Sequence, residues 1–275
     1  MSIDNDPDGM TPVSHWNGSP EMLVDALCTA TMRVRLSIIQ QLCLMRDPSY
    51  LDPLLQWLFL AENNWGEDFW AALPVFACAG DAGLQTLLPL TTHPDPFCRA
   101  LVIRALGFFT DPTTLPALLV AADDPDFMVR IRCLESLTVC AQGLGVLPLV
   151  QHYRNQDHPP RMRVTIGMVL AQRRDLSLLD TFLLVVRDPN SWVRTSAVYG
   201  LGQLPTPQSY DALLRALRDR TVRVRCAAID ALRTYPDPRA QAVLALMAPD
   251  SSPTVRKVLA RALAPNEEAD VDDGT

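Results

Sequence analysis

An arginine returns along this chain at an almost constant interval: Arg35, Arg99, Arg130, Arg163, Arg194, Arg225 and Arg256. Seven residues after each stands a leucine: Leu42, Leu106, Leu137, Leu170, Leu201, Leu232 and Leu263. Phe69 and Phe76 fill the same two columns between the first and second arginines. The steps down the first column, Phe69 included, are 34, 30, 31, 33, 31, 31 and 31 residues. A single globular core imposes no such period. A stack of equivalent supersecondary units does, because each unit meets only its neighbours and every neighbourhood is alike.

The unit is helical. Three residues after the column stand Ile38, Ala72, Val102, Cys133, Ile166, Ala197, Ala228 and Leu259. The position four residues on is also apolar or small. Offsets of 0, 3, 4 and 7 share one face of an α-helix, and no strand-like alternation competes with them. In the later copies the spacing predicts helices over 176–187, 191–204, 209–218 and 222–235, separated by Asp-Pro and Pro-rich breaks. Proline suits a helix's first turn and stops a helix elsewhere, so most of the 23 prolines read as punctuation. Pro74, Pro116 and Pro148 fall near or inside expected helices. The expected fold is an all-α solenoid, an α-α superhelix of about eight helical hairpins spanning 19–265.

Charge separates into body and ends. Residues 1–18 carry three acids and no base, and residues 266–275 carry five acids and no base. The net charge of −7 therefore sits in the ends, while the body sets 23 acids against all 24 bases. Both ends are polar and are expected to be disordered tails. A near-neutral body argues against strong nucleic-acid steering. No apolar run approaches a membrane span, and Met1 to Gly18 lacks the basic start and apolar stretch of a signal peptide. A soluble, cytoplasmic protein is expected. The seven cysteines form no CxxC pair and read as small buried hydrophobes, with no redox or zinc role. Lys257 is the sole lysine, which reflects coding bias more simply than anion recognition.

Two roles are open for the arginine column. Arg130, Arg194 and Arg225 follow turns rich in aspartate, so a ladder to acids or carbonyls of neighbouring turns would explain the period structurally. The alternative is an anion-binding strip. Candidate ligand contacts lie elsewhere, at positions one, five and nine after each arginine. These point away from the seam and are expected to line the concave side. The resulting groove comprises Trp70, Arg104, Phe108, Ile131, Glu135, Met168, Tyr199 and Asp230. Aromatic and methionine groups rimmed by charge suit protein binding; the competing interpretation is packing beneath neighbouring helices. Repeat 2 is irregular, with Asp68-Phe69 in place of Val-Arg and three added residues. The loop 156–160, where the step grows to 33, is a lesser irregularity.

The segments DPDFMVRIRCLESL, DPNSWVRTSAVYGLGQL, DRTVRVRCAAIDALRTYPDP and SSPTVRKVLARAL share Asp-Pro, Val-Arg, then alanine and leucine. This pattern resembles the short HEAT-like repeats of phycobiliprotein lyases across about residues 19–265. The resemblance implies the solenoid and several branches of function. The deoxyhypusine hydroxylase branch implies His-Glu dipeptides holding two irons. Here His15, His93, His152 and His158 are followed by Trp, Pro, Tyr and Pro, which excludes it. The DNA-glycosylase branch implies a strongly basic groove, which the body charge argues against. No phosphate-cradling glycine loop or Gly-x-Ser-x-Gly elbow is present. The expected function is a non-catalytic scaffold, adaptor or assembly factor with a protein partner and without catalytic residues, metal or cofactor. The alternative is a bilin lyase or chromophore-attachment chaperone, whose ligand would be a linear tetrapyrrole.

Overall fold

The computed structural model describes residues 18–60, 67–109 and 111–264. Apart from Gly18, both expected tails lie outside these ranges, as does much of the insertion in repeat 2. Every described regular element is a helix. The chain divides into two compact units, meeting in sequence at Leu144 and Gly145.

The N-terminal unit contains four successive hairpins. The first pairs α1 (Pro20–Thr29) with α2 (Met32–Met45). In the second, α3 (Leu51–Leu60) precedes α4 (Glu67–Ala71) and α5 (Pro74–Cys78). The third pairs α6 (Asp81–Leu87) with α7 (Pro96–Leu106), and the fourth α8 (Thr114–Ala121) with α9 (Phe127–Leu144). The C-terminal unit pairs α10 (Leu147–Arg154) with α11 (Pro160–Gln172) and α12 (Leu179–Val185) with α13 (Ser191–Gly202). It continues with α14 (Pro207–Ala216) and α15 (Val222–Arg233), then α16 (Pro238–Ala245) and α17 (Pro253–Leu263). Within the units, α7 packs on α9, and α11, α13, α15 and α17 pack in succession. The all-α repeat architecture expected from the period is therefore present.

Proline and aspartate set the helix starts. Helices α1, α5, α7, α11, α14, α16 and α17 each open on a proline, where the missing N–H has no helical acceptor to lose. Pro148 and Pro116 are the second and third residues of α10 and α8, also within the first turn. Pro74 divides the second helix of repeat 2 into α4 and α5. Before many helices an Asp or Asn side chain accepts a backbone N–H two residues on, as at Asp95–Phe97, Asn190–Trp192 and Asp237–Arg239, all at 2.9 Å. These caps satisfy donors that the first turn leaves unpaired. The helix expected over 209–218 starts earlier, at Pro207, because the Thr206 hydroxyl accepts from Ser209 N at 3.1 Å. The helix expected over 176–187 is shorter, with a 3₁₀ turn at Leu176–Leu178 followed by α12.

The predicted seam is the core. Leu106, Leu137, Leu170, Leu201, Leu232 and Phe76 have no exposed surface, and Leu42 is also buried. Leu263 departs from the expectation, with 42 % of its surface exposed. It lies on α17, the last described helix, and no further described repeat covers it. The cysteines also divide. Cys98, Cys133 and Cys140 are buried as expected, whereas Cys28 is exposed and Cys43, Cys78 and Cys226 are half-buried.

Close approach of the two helices of a hairpin depends on glycine where α13 meets α12. An alanine Cβ at Gly200 would sit 2.3 Å from Cε1 of Phe182. Glycine to alanine inside a helix ordinarily adds about 1 kcal/mol of stability. Overpacking a rigid ring costs about 1–3 kcal/mol and outweighs that gain. Gly200→Ala is expected to lower the melting temperature. A rise would show that Phe182 yields without cost.

Candidate functional site

The arginine column forms a ladder of bonds between successive turns. Arg99, Arg194 and Arg225 each grip one aspartate through two nitrogens: Asp124 (2.8 and 2.9 Å), Asp219 (2.9 Å twice) and Asp250 (2.8 Å twice). Arg163 reaches Asp188 and also donates Nε–H to the Tyr153 carbonyl at 2.9 Å. The partner always lies 25 residues on, in the turn opening the next second helix. The preceding turn supplies carbonyls: Arg99 donates to His93 and Pro94, Arg194 to Asp188 and Pro189, and Arg256 to Asp250 and Ser251. Arg130 likewise donates to Asp124 and Pro125, and the residue 25 on is Asn155 rather than an acid.

Each clamped aspartate also caps its own turn. Asp124, Asp188, Asp219 and Asp250 each accept at 2.8 Å from a backbone N–H two residues on. Burial is the largest single influence on the carboxyls of Asp124 and Asp219 and pushes them upward, but the hydrogen bond from Arg99 or Arg194, the backbone N–H bond and the guanidinium charge together outweigh it, and both lie below the usual carboxylate range. The hydrogen bond from Arg225 leads the same lowering at Asp250. Guanidinium groups so engaged hold turns together, and the structural role of the column follows. Phe69 replaces these bonds with apolar packing. It is buried, with Trp57, Trp70 and Phe97 ring centroids 6.1, 5.4 and 6.3 Å away.

The face one, five and nine residues past the column is more open, though not throughout. Ala100 and Thr195, expected there, are buried at 5 % and 7 % exposure, whereas Lys257 at the same offset is exposed. In the N-terminal unit four candidates join one cluster. Glu135 lies between two arginines: Arg104 Nε is 3.3 Å from its carboxylate, and Arg132 Nη1 bonds both oxygens at 2.9 and 3.0 Å. Arg104 covers the Phe108 ring at 4.6 Å, and Arg132 covers Trp70 at 4.3 Å. Arg104 Nη1 and Arg132 Nε are buried without a hydrogen-bond partner among the described residues. Half-buried Ile131 stands one turn before Glu135 on α9.

In the C-terminal unit, α13, α15 and α17 frame an open groove of about 470 Å³. Its lining includes Thr195, Tyr199, Arg223, Cys226, Asp230 and Val258. Tyr199 is 38 % exposed. Burial leads the upward shift of its phenol, with Asp230 and Cys226 adding to it. Asp230 takes a 3.3 Å contact from exposed Arg261. Arg223 lies over Trp192, with its guanidinium carbon 3.1 Å from the ring centroid, and Trp192 is itself 53 % exposed. Met168 is half-buried on α11 and is not among the groove's lining residues.

The HEAT-repeat family profile matches residues 70–138, 146–233 and 183–264, which together span more than half of the chain. The chain belongs to the HEAT-repeat family. A search of curated proteins finds no match. Among solved structures, human deoxyhypusine hydroxylase in complex with glycerol is 20 % identical over 89 % of this chain and 93 % of its own, with a TM-score of 0.38. The CpcE–CpcF complex of phycocyanin lyase from Nostoc sp. PCC7120 is 17 % identical over 96 % and 92 %, with a TM-score of 0.38. Kap121p is 14 % identical over 90 % of this chain and 37 % of its own, with a TM-score of 0.48. None of these likenesses bears on the chemistry of this chain.

Three partners in the HEAT-repeat faces escaped sequence reasoning: Arg132, Trp192 and Arg223. The signal for two of them was present, since Trp192 and Arg223 each stand two residues before a column arginine and are themselves 31 apart. The fold also brings His152 and His158 together, with Nδ1 and Nε2 3.0 Å apart. Burial first, then the neighbouring ring, lowers the pKa of His152. Among the described residues no group of three or more His, Cys, Asp or Glu could hold a metal ion, and no helix is long and apolar enough to cross a membrane.

Proposed function

We propose that this HEAT-repeat chain is a non-catalytic, cytoplasmic scaffold or assembly factor that holds a protein partner on the open face of its second helices. The observation that carries this is exposed Tyr199 in the lining of the groove, beside Arg223, which lies over exposed Trp192. Aromatic and arginine side chains in a desolvatable recess are the usual energetic anchors of protein interfaces. Trp70 and Phe108, each roofed by an arginine, place the same chemistry on the N-terminal unit.

The test is affinity capture from the native cell with the full chain, its Tyr199→Ala variant and its Trp192→Ala variant. At least one stoichiometric partner is expected to be lost from both variants while melting shifts little. A partner retained by both variants would overturn the proposal. So would a shift in the absorbance of an added linear tetrapyrrole without any partner.

A further inference from the structure

We infer that the C-terminal groove recognises an acidic protein segment, whose carboxylate pairs with Arg223 while a neighbouring apolar side chain lies against Tyr199. This rests on the scaffold proposal and names the chemistry of its partner. Most column arginines spend their guanidinium on turns of this chain. Arg223 differs: it stacks on Trp192, and among the described residues it forms no ion pair. A guanidinium held over an indole face does not use its N–H groups there, and they fit a carboxylate through two parallel bonds. The stack also fixes the side chain in advance, so less rotamer freedom is lost on binding.

The remaining charges around the groove point the same way. Asp230, the acid of the lining, is already met by Arg261. The lining sets Arg223 against Asp230, and Arg261 engages Asp230 from beside the groove, so the Arg223 charge is the one left without an ion pair among the described residues. Independently, the N-terminal unit repeats the device, with Arg104 and Arg132, both ring-stacked, sharing the single carboxylate of Glu135. The lining beside Arg223 supplies an apolar floor in Ala227 and Val258. The partner chemistry that satisfies both is an acid adjacent to a hydrophobic residue.

A phage-displayed library of random 12-residue peptides, selected on the full chain, tests this. Selected peptides are expected to carry Asp or Glu beside Leu, Phe or Tyr. Synthetic copies are expected to bind Arg223→Gln about tenfold to a hundredfold more weakly, as loss of a charged hydrogen bond implies. Arg223→Lys should fall between, since it keeps charge without the fork. Selection of basic or uncharged peptides, equal binding by Arg223→Gln, or no enrichment over Arg223→Gln would overturn the inference. Tighter Arg223-dependent binding of a single-stranded dT20 oligonucleotide would also overturn it, in favour of a nucleic-acid surface. Uncharged peptides that still need Tyr199 would leave the scaffold proposal standing. Retention of the native partner by Tyr199→Ala and Trp192→Ala would remove both.

Discussion

Arg163→Ala is expected to destabilise the C-terminal unit by about 3–5 kcal/mol, the usual cost of orphaning one member of a buried ion pair. Arg163 and Asp188 keep only 3 % and 1 % of their side-chain surface, the most enclosed pair of the ladder. Removing the guanidinium leaves the Asp188 carboxylate in a site that water barely reaches. Only the N–H of Asn190, at 2.8 Å, would remain on it. The Tyr153 carbonyl would lose its donor as well. By contrast, Arg256 is exposed and among the described residues bonds the carbonyls of Asp250 and Ser251, so Arg256→Ala should cost about 1 kcal/mol or less. The double variant Arg163→Met, Asp188→Asn should recover much of the loss, because no uncompensated charge stays buried. Urea denaturation of the four proteins reads these differences. Equal effects at Arg163 and Arg256 would mean that the ladder merely decorates the stack.

Leu201→Ala is expected to cost about 2–5 kcal/mol, the range for truncating an enclosed leucine in a core that cannot collapse around the void. Leu201 has no exposed surface and sits where α13 meets its neighbours α11 and α15. Leu263 occupies the same column on α17 but is 42 % exposed, and Leu263→Ala should cost about 1 kcal/mol or less. Identical chemistry at one register position thus separates burial from sequence pattern. Thermal and urea melts of both variants provide the check, and similar losses at the two positions would sink the distinction. The comparison also tests how far stability passes between hairpins, since repeat arrays distribute it through nearest-neighbour contacts.

Much of the architecture was legible because its causes are local. A proline in a first turn, an aspartate two residues ahead of a backbone N–H, and apolar residues at offsets 0, 3, 4 and 7 act within one helix. The ladder was half legible. Aspartates stand before Arg130, Arg194 and Arg225, yet the preceding turn gives carbonyls, and the carboxylate that grips Arg194 and Arg225 comes from 25 residues further on. That offset is itself constant from Arg99 to Asp124, Arg163 to Asp188, Arg194 to Asp219 and Arg225 to Asp250. It encodes the height of one hairpin, which sequence periodicity measures but does not orient.

The candidate face was less legible. Offsets of one and five placed Thr195, Tyr199 and Asp230 on one groove, but they also enlisted Ala100, which is buried. By itself the sequence determined the repeat, the helical hairpin and the identity of the seam, because these follow from periodicity and from steric rules within a few residues. Only the tertiary structure decided which guanidinium goes to an aspartate, which to an aromatic ring and which has no ion pair. Those choices depend on the rise and rotation between stacked hairpins. A few ångströms of that geometry separate an arginine that locks a turn from one that meets a partner.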